Sequence, residues 1–434
     1  ECLSLDEENT SGYSKEFYSA SEELRKQYKN DEEAKQIIDI ALGLEGLRRQ
    51  DGIHAAAIVI SPDTITKFLP IQQKGSNAEI VTQYEMHTVE QLGLLKMDFL
   101  GLRNLSIVDR TLELIGSKSF DIDNLKLDDE KTFKLFAEGK MTGVFQLESR
   151  VAQSTSRSLK PKRFEDIVAL VALIRPGPLG AGMHNEFADR ANNRKEIEYL
   201  HSDLESILNE TYGVILYQEQ VMQIAEKIAG FNLQEADNLR VAMGKKIPKV
   251  MEEQRKKFTD GAVSNNYSEQ FAIELFDQIA YFAGYGFNKS HSVPYALLAY
   301  QTAYLKANYP AEYIAACLTA VKRDKDRTAI FLSEARDMGV KVSTPDVNLS
   351  SSDFTVNDNE ILFGLSAVRN VGDITADKIV LERESNGDFK SIEDFLSRID
   401  SRSLNKRGVE ALIQGGGLDK FGHTRKGMFD AVID

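Results

Sequence analysis

Residues 94–105 read LLKMDFLGLRNL. Leu94 to Leu100 is a strand candidate, and Asp98 sits inside its apolar pattern with Lys96 two residues before it. Side chains two apart on a strand share a face, so a carboxylate and an ammonium leave a buried element on the same side. Burying charge is costly unless the charge is paired or binds metal. Two readings follow: a structural Lys–Asp pair at a strand end, or a metal or phosphate site on a sheet. N-terminal to this stretch, His54 to Ser61 (HAAAIVIS) is a short apolar run closed by Pro62-Asp63, the pattern of a buried strand ending in a turn. Glu79 to Tyr84 (EIVTQY) is another strand candidate. The three together predict one small sheet. C-terminal to it, from Asn104 to about Asp346, the apolar spacing is mostly helical. The fold class is therefore α+β, mostly helical.

Farther out, residues 1–52 read as charged helices. Ser21-Glu22-Glu23-Leu24 opens one, and Asp31 to Gly43 forms another with Ala34, Ile37, Ile38 and Ala41 on one face. Further helices are predicted over Phe164–Ile174, Val221–Ala229, Glu269–Phe282 and Tyr295–Asn308. Loops are expected at Arg175-Pro176-Gly177-Pro178, Gly284-Tyr285-Gly286 and Tyr309-Pro310. Residues 347–362 look extended, through Phe354-Thr355-Val356 and Ile361-Leu362-Phe363, and residues 364–425 return to short helices.

The 434 residues suffice for about two to four domains. No apolar run reaches the roughly 18 residues of a membrane span, so no membrane association is expected. The start, Glu1-Cys2-Leu3-Ser4, resembles no signal peptide and lacks Met, which suggests a chain beginning mid-protein. Cys2 and Cys317 are the only cysteines, which fits a reducing compartment rather than a disulfide framework. No CxxC or HExxH string occurs, which speaks against zinc chemistry. The net charge of −14 argues against a dedicated nucleic-acid binder. Whole-chain charge says little about local fields, however. Lys245, Lys246, Lys249, Arg255, Lys256 and Lys257 cluster, as do Lys322, Arg323, Lys325 and Arg327. Each run is a solvated helix face or part of an anion-binding groove.

Several strings carry candidate chemistry. Gly143–Arg150 (GVFQLESR) alternates apolar and polar residues and reads as a strand or a helix start. Arg175 stands beside a rigid Pro-Gly-Pro turn, placed either to hold a phosphate or to cap its own helix. Arg240, Lys245 and Lys246 surround Gly244, where backbone can approach a ligand closely. The full Walker spacing is missing there. The densest string is Gly284–Tyr295 (GYGFNKSHSVPY), with Asn288, Lys289, Ser290 and His291 before a helix. Ser292 can cap that helix, and Pro294 is tolerated in its first turn. Polar groups thus gather at a helix N-terminus, a natural anion site. In Gly364–Glu384, the run Val368-Arg369-Asn370-Val371-Gly372 has the apolar-x-x-apolar-Gly pattern of a helix-hairpin-helix. The glycine of such a turn lets backbone N–H groups meet a DNA phosphate. A weaker second half spans Leu404–Leu418, with Gly415-Gly416-Gly417 in its turn region.

Taken in order, LLKMDFLGLRNL, GVFQLES, ALIRPGPL, YGVILYQEQVMQIA, AMGKK, GYGFNKSHS, YLKANYPAEY and LNKRGVEALI resemble the alpha subunits of bacterial DNA polymerase III, C-family replicative polymerases of the DnaE type. The likeness runs over nearly the whole chain. The PolC type is less favoured, because no inserted exonuclease interrupts the order. The resemblance implies a palm of the polymerase-beta-like nucleotidyltransferase kind, large helical fingers and a C-terminal tandem helix-hairpin-helix module. The implied boundaries are 1–52 for the end of the thumb, 53–103 for the second part of the palm, 104–346 for the fingers and 347–434 for the hairpin module.

It also implies template-dependent DNA synthesis, with a primer 3′-hydroxyl attacking a deoxynucleoside triphosphate and two Mg2+ ions held by aspartates. Asp98 matches the last of three family aspartates, and Lys96 the basic residue beside it. The other two lie in a Pro-Asp-Phe-Asp string absent from these residues, and Asp121-x-Asp123 falls in a variable linker instead. Arg175, Arg240, Lys245, Lys246, Asn288, Lys289, Ser290 and His291 become candidates for the nucleotide, and Arg369, Asn370, Val371, Gly372, Lys406 and Arg407 for DNA. The implied partners are primer-template DNA, deoxynucleoside triphosphates and, through parts outside this chain, a sliding clamp and other replicase subunits in a bacterial cytoplasm at the nucleoid. The alternative is a non-catalytic DNA-binding scaffold of the same descent. Two departures stand out: Arg150–Ser158 (RVAQSTSRS) is polar and weakly helical where the family is hydrophobic, and Pro294 replaces a small residue.

Overall fold

The computed structural model describes residues 24–44, 47, 52–73, 75, 78–117, 120–245, 248–283, 286–400 and 402–433. Ser21-Glu22-Glu23, Lys246 and Gly284-Tyr285 lie outside the described residues. The chain divides into two compact units, with the boundary between Arg103 and Asn104.

The first unit holds helices α1 (24–30) and α2 (Glu32–Leu44), strands β1 (Ala57–Ile60), β2 (Ile71–Gln73) and β3 (Ile80–Thr82), helix α3 (Met86–Gln91) and strand β4 (Leu95–Asp98). On α2, Ile38 is buried as the apolar face requires, but Ile37 is exposed. The three expected strands do not form one sheet. β1 pairs antiparallel with β4, and β3 pairs with β2, a strand the pattern missed. Nor are β1 and β4 buried elements. Leu69, Val89 and Leu94 form a small core, against which Val59 packs. Ile58 lies opposite Met97 and Ile60 opposite Leu95, so these four side chains share one face, and all four are exposed. Asp98 and Lys96 project from the other face, with Val59.

The second unit begins with α4 (Arg103–Ile115), α5 (Glu130–Glu138), α6 (Arg150–Leu159), α7 (Phe164–Leu173), α8 (Pro176–Gly180), α9 (Met183–Ala191) and α10 (Glu205–Leu208). It continues through α11 (Gln218–Ala229), α12 (Leu233–Lys245), α13 (Pro248–Ser264), α14 (Glu269–Ala283), α15 (Lys289–Asn308), α16 (Pro310–Val321) and α17 (Lys325–Asp337). Strands β5 (Lys341–Val342), β6 (Thr355–Asn357) and β7 (Glu360–Leu362) follow. Helices α18 (Asp373–Asn386), α19 (Ile392–Arg398), α20 (Lys406–Gly415) and α21 (Arg425–Ile433) end the chain. From Ile167 to Leu173, α7 is apolar on every side and buried, as such a segment must be. It packs on α15, whose small residues Ala296, Ala299 and Ala303 sit in the same core.

The polar run Arg150–Ser158 is a full helix, contrary to expectation. Ser149 caps it by accepting the Ala152 N–H at 3.1 Å, and its buried face is made of Ala152, Thr155, Ser156 and Leu159. Small and hydroxylated residues suffice there because Ser156 donates to the Phe136 carbonyl at 2.8 Å. Of the expected loop at Arg175–Pro178, Pro176, Gly177 and Pro178 are helical and Arg175 is the extended residue before them. Pro176 opens α8 at a position where its missing N–H costs nothing. Gly143–Arg150 is neither a strand nor mainly a helix: it is a run of turns, with Gln146 at φ +62°, that leads into Ser149. A second core lies among α11–α14, and a third holds the C-terminal helices, from Val347 to Met428.

Candidate functional site

At the end of β4, Lys96 Nζ donates to both carboxylate oxygens of Asp98, at 2.8 Å each. That donation, together with the ammonium charge, holds the Asp98 carboxyl below its ordinary range, so it is ionised at neutral pH. His54 Nδ1 stands 3.6 Å from Asp98 and accepts the backbone N–H groups of Ala56 and Ala57. Asp98 is half exposed and reachable, whereas the Lys96 side chain is mostly covered. Among the described residues, no group of three His, Cys, Asp or Glu lies close enough to hold a metal ion. One carboxylate already bridged by a lysine does not fit two Mg2+ ions by itself. Asp121 is a turn cap: it accepts from Asp123 N at 3.0 Å and from Asn124 Nδ2 at 2.7 Å.

In the second unit the loop before α15 is pinned to residues 216–218. Gln218 N donates to the Phe287 carbonyl at 2.9 Å, and Phe287 N donates to the Leu216 carbonyl at 3.1 Å. Asn288, not Ser292, caps the helix, accepting the His291 N–H at 3.0 Å. Ser292 is buried and donates to the Val168 carbonyl at 2.7 Å. Helix α15 therefore starts earlier than expected, and Pro294 lies inside it, beyond the first turn. Arg175 stacks on the Phe287 ring at 4.5 Å, and His291 lies between Phe287 and Tyr295. The structure thus brings Arg175 and His291 to the Phe287 ring, next to Asn288, Lys289 and Ser290 in the chain, with Lys289 over the Tyr217 ring at 5.6 Å.

An anion already sits at this helix N-terminus, and it belongs to the chain. Glu219 accepts the Lys289 N–H at 2.9 and 3.0 Å and the Ser290 N–H at 3.4 Å. Glu210 takes the Lys289 ammonium at 2.7 and 2.8 Å. Neither carboxylate is singled out by the sequence reading, although Glu219 lies inside the YQEQ string. Arg240 is held by Asp237 on its own helix, at 2.8 Å, and Lys245 ends α12.

The two basic runs do not form free grooves where their side chains are described. Arg255 pairs with Asp277, Lys257 with Glu235 and Arg327 with Glu148. Lys322 donates to Asp353 at 2.6 Å, to Ser366 at 2.9 Å and to Asp373, which Arg323 also holds. Together they draw the Asp373 carboxyl down to about 2. This cluster staples the turn between α16 and α17 to the start of α18.

The hairpin forms at Val368–Gly372, with Val371 N donating to the Val368 carbonyl at 3.0 Å and both valines buried. Its left-handed residue is Asn370, at φ +63°, and not the glycine. Gly372 has φ −81° and caps α18; a Cβ there would meet nothing within 4 Å. The glycine is therefore not needed for the turn, and the space over it is open. In the second half, Asn405 caps α20 by accepting Gly408 N at 3.1 Å, and Gly416, at φ +92°, ends it. Gly408 lets α20 approach the hairpin, because a Cβ there would lie 3.2 Å from the Asn370 carbonyl oxygen. Lys406 and Arg407 are exposed on the first turn of α20.

Three family models match in succession: the bacterial DNA polymerase III alpha NTPase domain over residues 4–101, the alpha subunit finger domain over 104–266 and a helix-hairpin-helix motif over 339–428. The chain is 47% identical to the DNA polymerase III subunit alpha of Thermus aquaticus over 92% of its own length and 33% of the relative. It is 43% identical to those of Mycobacterium tuberculosis and Escherichia coli, over 96% of this chain and 36% and 37% of those proteins. The chain belongs to the family of bacterial DNA polymerase III alpha subunits, and it spans about a third of the length of these curated relatives.

Proposed function

We propose that this chain is the part of a replicative DNA polymerase that carries the last catalytic aspartate, the nucleotide-binding fingers and a duplex-binding hairpin module. The observation that carries this reading is the ordered succession of matched domains, with Lys96–Asp98 at the end of the first. Residues 53–103 would be the second part of the palm, 104–346 the fingers and 347–434 the hairpin module. In the reaction a primer 3′-hydroxyl attacks the α-phosphate of a deoxynucleoside triphosphate, and pyrophosphate leaves. Two Mg2+ ions, when bound, would supply charge neutralisation and alignment, with Asp98 one ligand and the family's Pro-Asp-Phe-Asp aspartates the others. Lys96 keeps Asp98 ionised and orients it. The donors at Asn288–His291, with Arg175, would receive the triphosphate. Amides of the hairpin, with Lys406, would meet duplex phosphates, which carry no sequence information. Clamp and replicase contacts would fall outside these residues, and the setting is a bacterial cytoplasm. Among the described residues no helix is long and apolar enough to cross a membrane.

The test is Asp98→Asn in the full-length polymerase. Incorporation should fall by far more than tenfold, which is only about 1.4 kcal/mol, while duplex affinity stays within about twofold. A variant retaining more than about a tenth of the rate would make Asp98 a structural partner of Lys96.

A further inference from the structure

Behind the hairpin lies a cleft of about 970 Å³, between α17, the β5 segment and α20. That is within the size range of small-molecule sites. Its floor is apolar, made by Val340, Phe363, Val368 and Ala411, and its rim carries Arg336, Lys341, Arg369 and Arg407. Glu410 is the one acidic residue of the lining, so the lining bears a net charge of about +3 in a chain of net −14.

Among the described residues some arginines, such as Arg150 and Arg157, make no side-chain hydrogen bond or ion pair, and others are paired. Arg110, Arg190, Arg194 and Arg398, for example, are each held by a carboxylate. Arg369 and Arg407 have no hydrogen bond, ion pair or ring contact among the described residues. Arg336 only touches the Leu332 carbonyl of its own helix, at 3.4 Å. Two guanidiniums without a partner on the lining of one cleft are available to an anion. The spacing on α20 continues the design: Arg407, Glu410, Ala411 and Gln414 fall at i, i+3, i+4 and i+7, on one helix face. Ala411 is the small residue in the middle, leaving room between a cation at one end and a carboxylate and an amide beside it. Gly408 and Gly415 bring this helix close to the hairpin and to Pro345, which closes the cleft from below.

We propose that this cleft binds a single unstacked nucleotide. The base would lie on the floor beside Phe363, with Glu410 and Gln414 as partners for its polar edge. The phosphate would be held by Arg369 and Arg407. A duplex backbone cannot reach an apolar floor, so this site is separate from the hairpin amides over Gly372. The nucleotide has two possible sources, a free nucleoside phosphate or an unpaired residue of single-stranded DNA, and both present the same chemistry. The inference does not depend on polymerase activity.

The test is calorimetric titration of the 434-residue chain with deoxyadenosine monophosphate, deoxyadenosine, inorganic phosphate, oligothymidine and a blunt duplex. Deoxyadenosine monophosphate should bind at least about tenfold more tightly than deoxyadenosine or phosphate alone, since base and phosphate contacts add. Arg407→Ala and Ala411→Phe should each weaken it by about tenfold, the first by removing a cation and the second by filling the floor. Both should keep the wild-type circular dichroism, and Ala411→Phe should leave duplex binding within about threefold. Competition by oligothymidine assigns the site to single strands, and its absence assigns it to free nucleotides. Binding of phosphate as tight as that of the nucleotide, indifference to Ala411→Phe in the folded chain, or no binding at millimolar nucleotide overturns the proposal.

Discussion

On the proposed assignment of the α15 donors to the triphosphate, the carboxylates there set a measurable threshold for nucleotide binding. A triphosphate that uses Lys289 and the first amides of α15 must displace Glu210 and Glu219. The Lys289 and Glu210 side chains are 36% and 31% exposed, so their ion pair is partly screened and opposes the ligand by no more than about 1 kcal/mol. Glu219 at the helix N-terminus adds about 0.3–1 kcal/mol. The sum, about 0.3–2 kcal/mol, corresponds to roughly 2–30-fold in affinity. Glu210→Gln and Glu219→Gln keep the shape and an acceptor but remove the charge. Combined in the full-length polymerase, they should lower the apparent KM for nucleotide by roughly 2–30-fold, and singly by up to about fivefold. The assay is single-nucleotide incorporation on a primed template, with Lys289→Ala as the opposing control that raises KM. An unchanged or raised KM in the double variant, with its thermal midpoint intact, refutes the idea that these donors serve the triphosphate.

Three further outcomes follow from the geometry. Lys306 is buried and donates to the carbonyls of Lys140 and Thr142 and to Glu334, at 2.7–2.8 Å, so Lys306→Met should cost about 3–5 kcal/mol in urea unfolding, whereas a loss under about 1 kcal/mol would show that the site relaxes. Asn370→Val should destabilise the hairpin by about 1–2 kcal/mol, because a β-branched residue resists φ +63°, while Gly372→Ala should leave the thermal midpoint within about 1 °C and weaken duplex binding by intruding on the open space above it. The carboxyl of Asp373 is depressed, so its contribution is complete above the ordinary carboxylate range and is lost as pH falls from about 4 toward 2. Lys322→Met should flatten that acid limb of a thermal-midpoint titration, and an unchanged limb would mean that other carboxylates control it.

Much of this architecture is written in the residues. The apolar run Ile167–Leu173 falls in a buried helix, and the change from short apolar runs to helical spacing at Asn104 falls at the unit boundary. Helix α6 escapes notice because its inner face is Thr155 and Ser156 rather than leucine, and the carbonyl that accepts from Ser156 lies 20 residues away. The mistaken weight on Gly372 has a different cause: asparagine also tolerates the left-handed region, so the special φ moved two residues upstream unannounced. Lys289 and Asn288 are legible as donors in a dense polar string. Their acceptors are not, because Glu210 and Glu219 stand 79 and 70 residues from Lys289 in sequence and only the folded chain brings them there. The basic runs mislead for the same reason, since Asp353 and Asp373 meet Lys322 through space alone.

The exposed apolar face of β1 and β4 has a consequence for colloidal behaviour. Ile58, Ile60, Leu95 and Met97 present a contiguous greasy strip on a two-stranded ribbon whose outer edges are unpaired within its sheet. Such a strip drives sheet-to-sheet stacking between molecules, and salting-out anions such as sulfate strengthen it. Light scattering of the chain should therefore grow with protein concentration and with sulfate. Asp98 and Lys96 leave the ribbon on the opposite side, so stacked molecules would keep their carboxylates in contact with solvent.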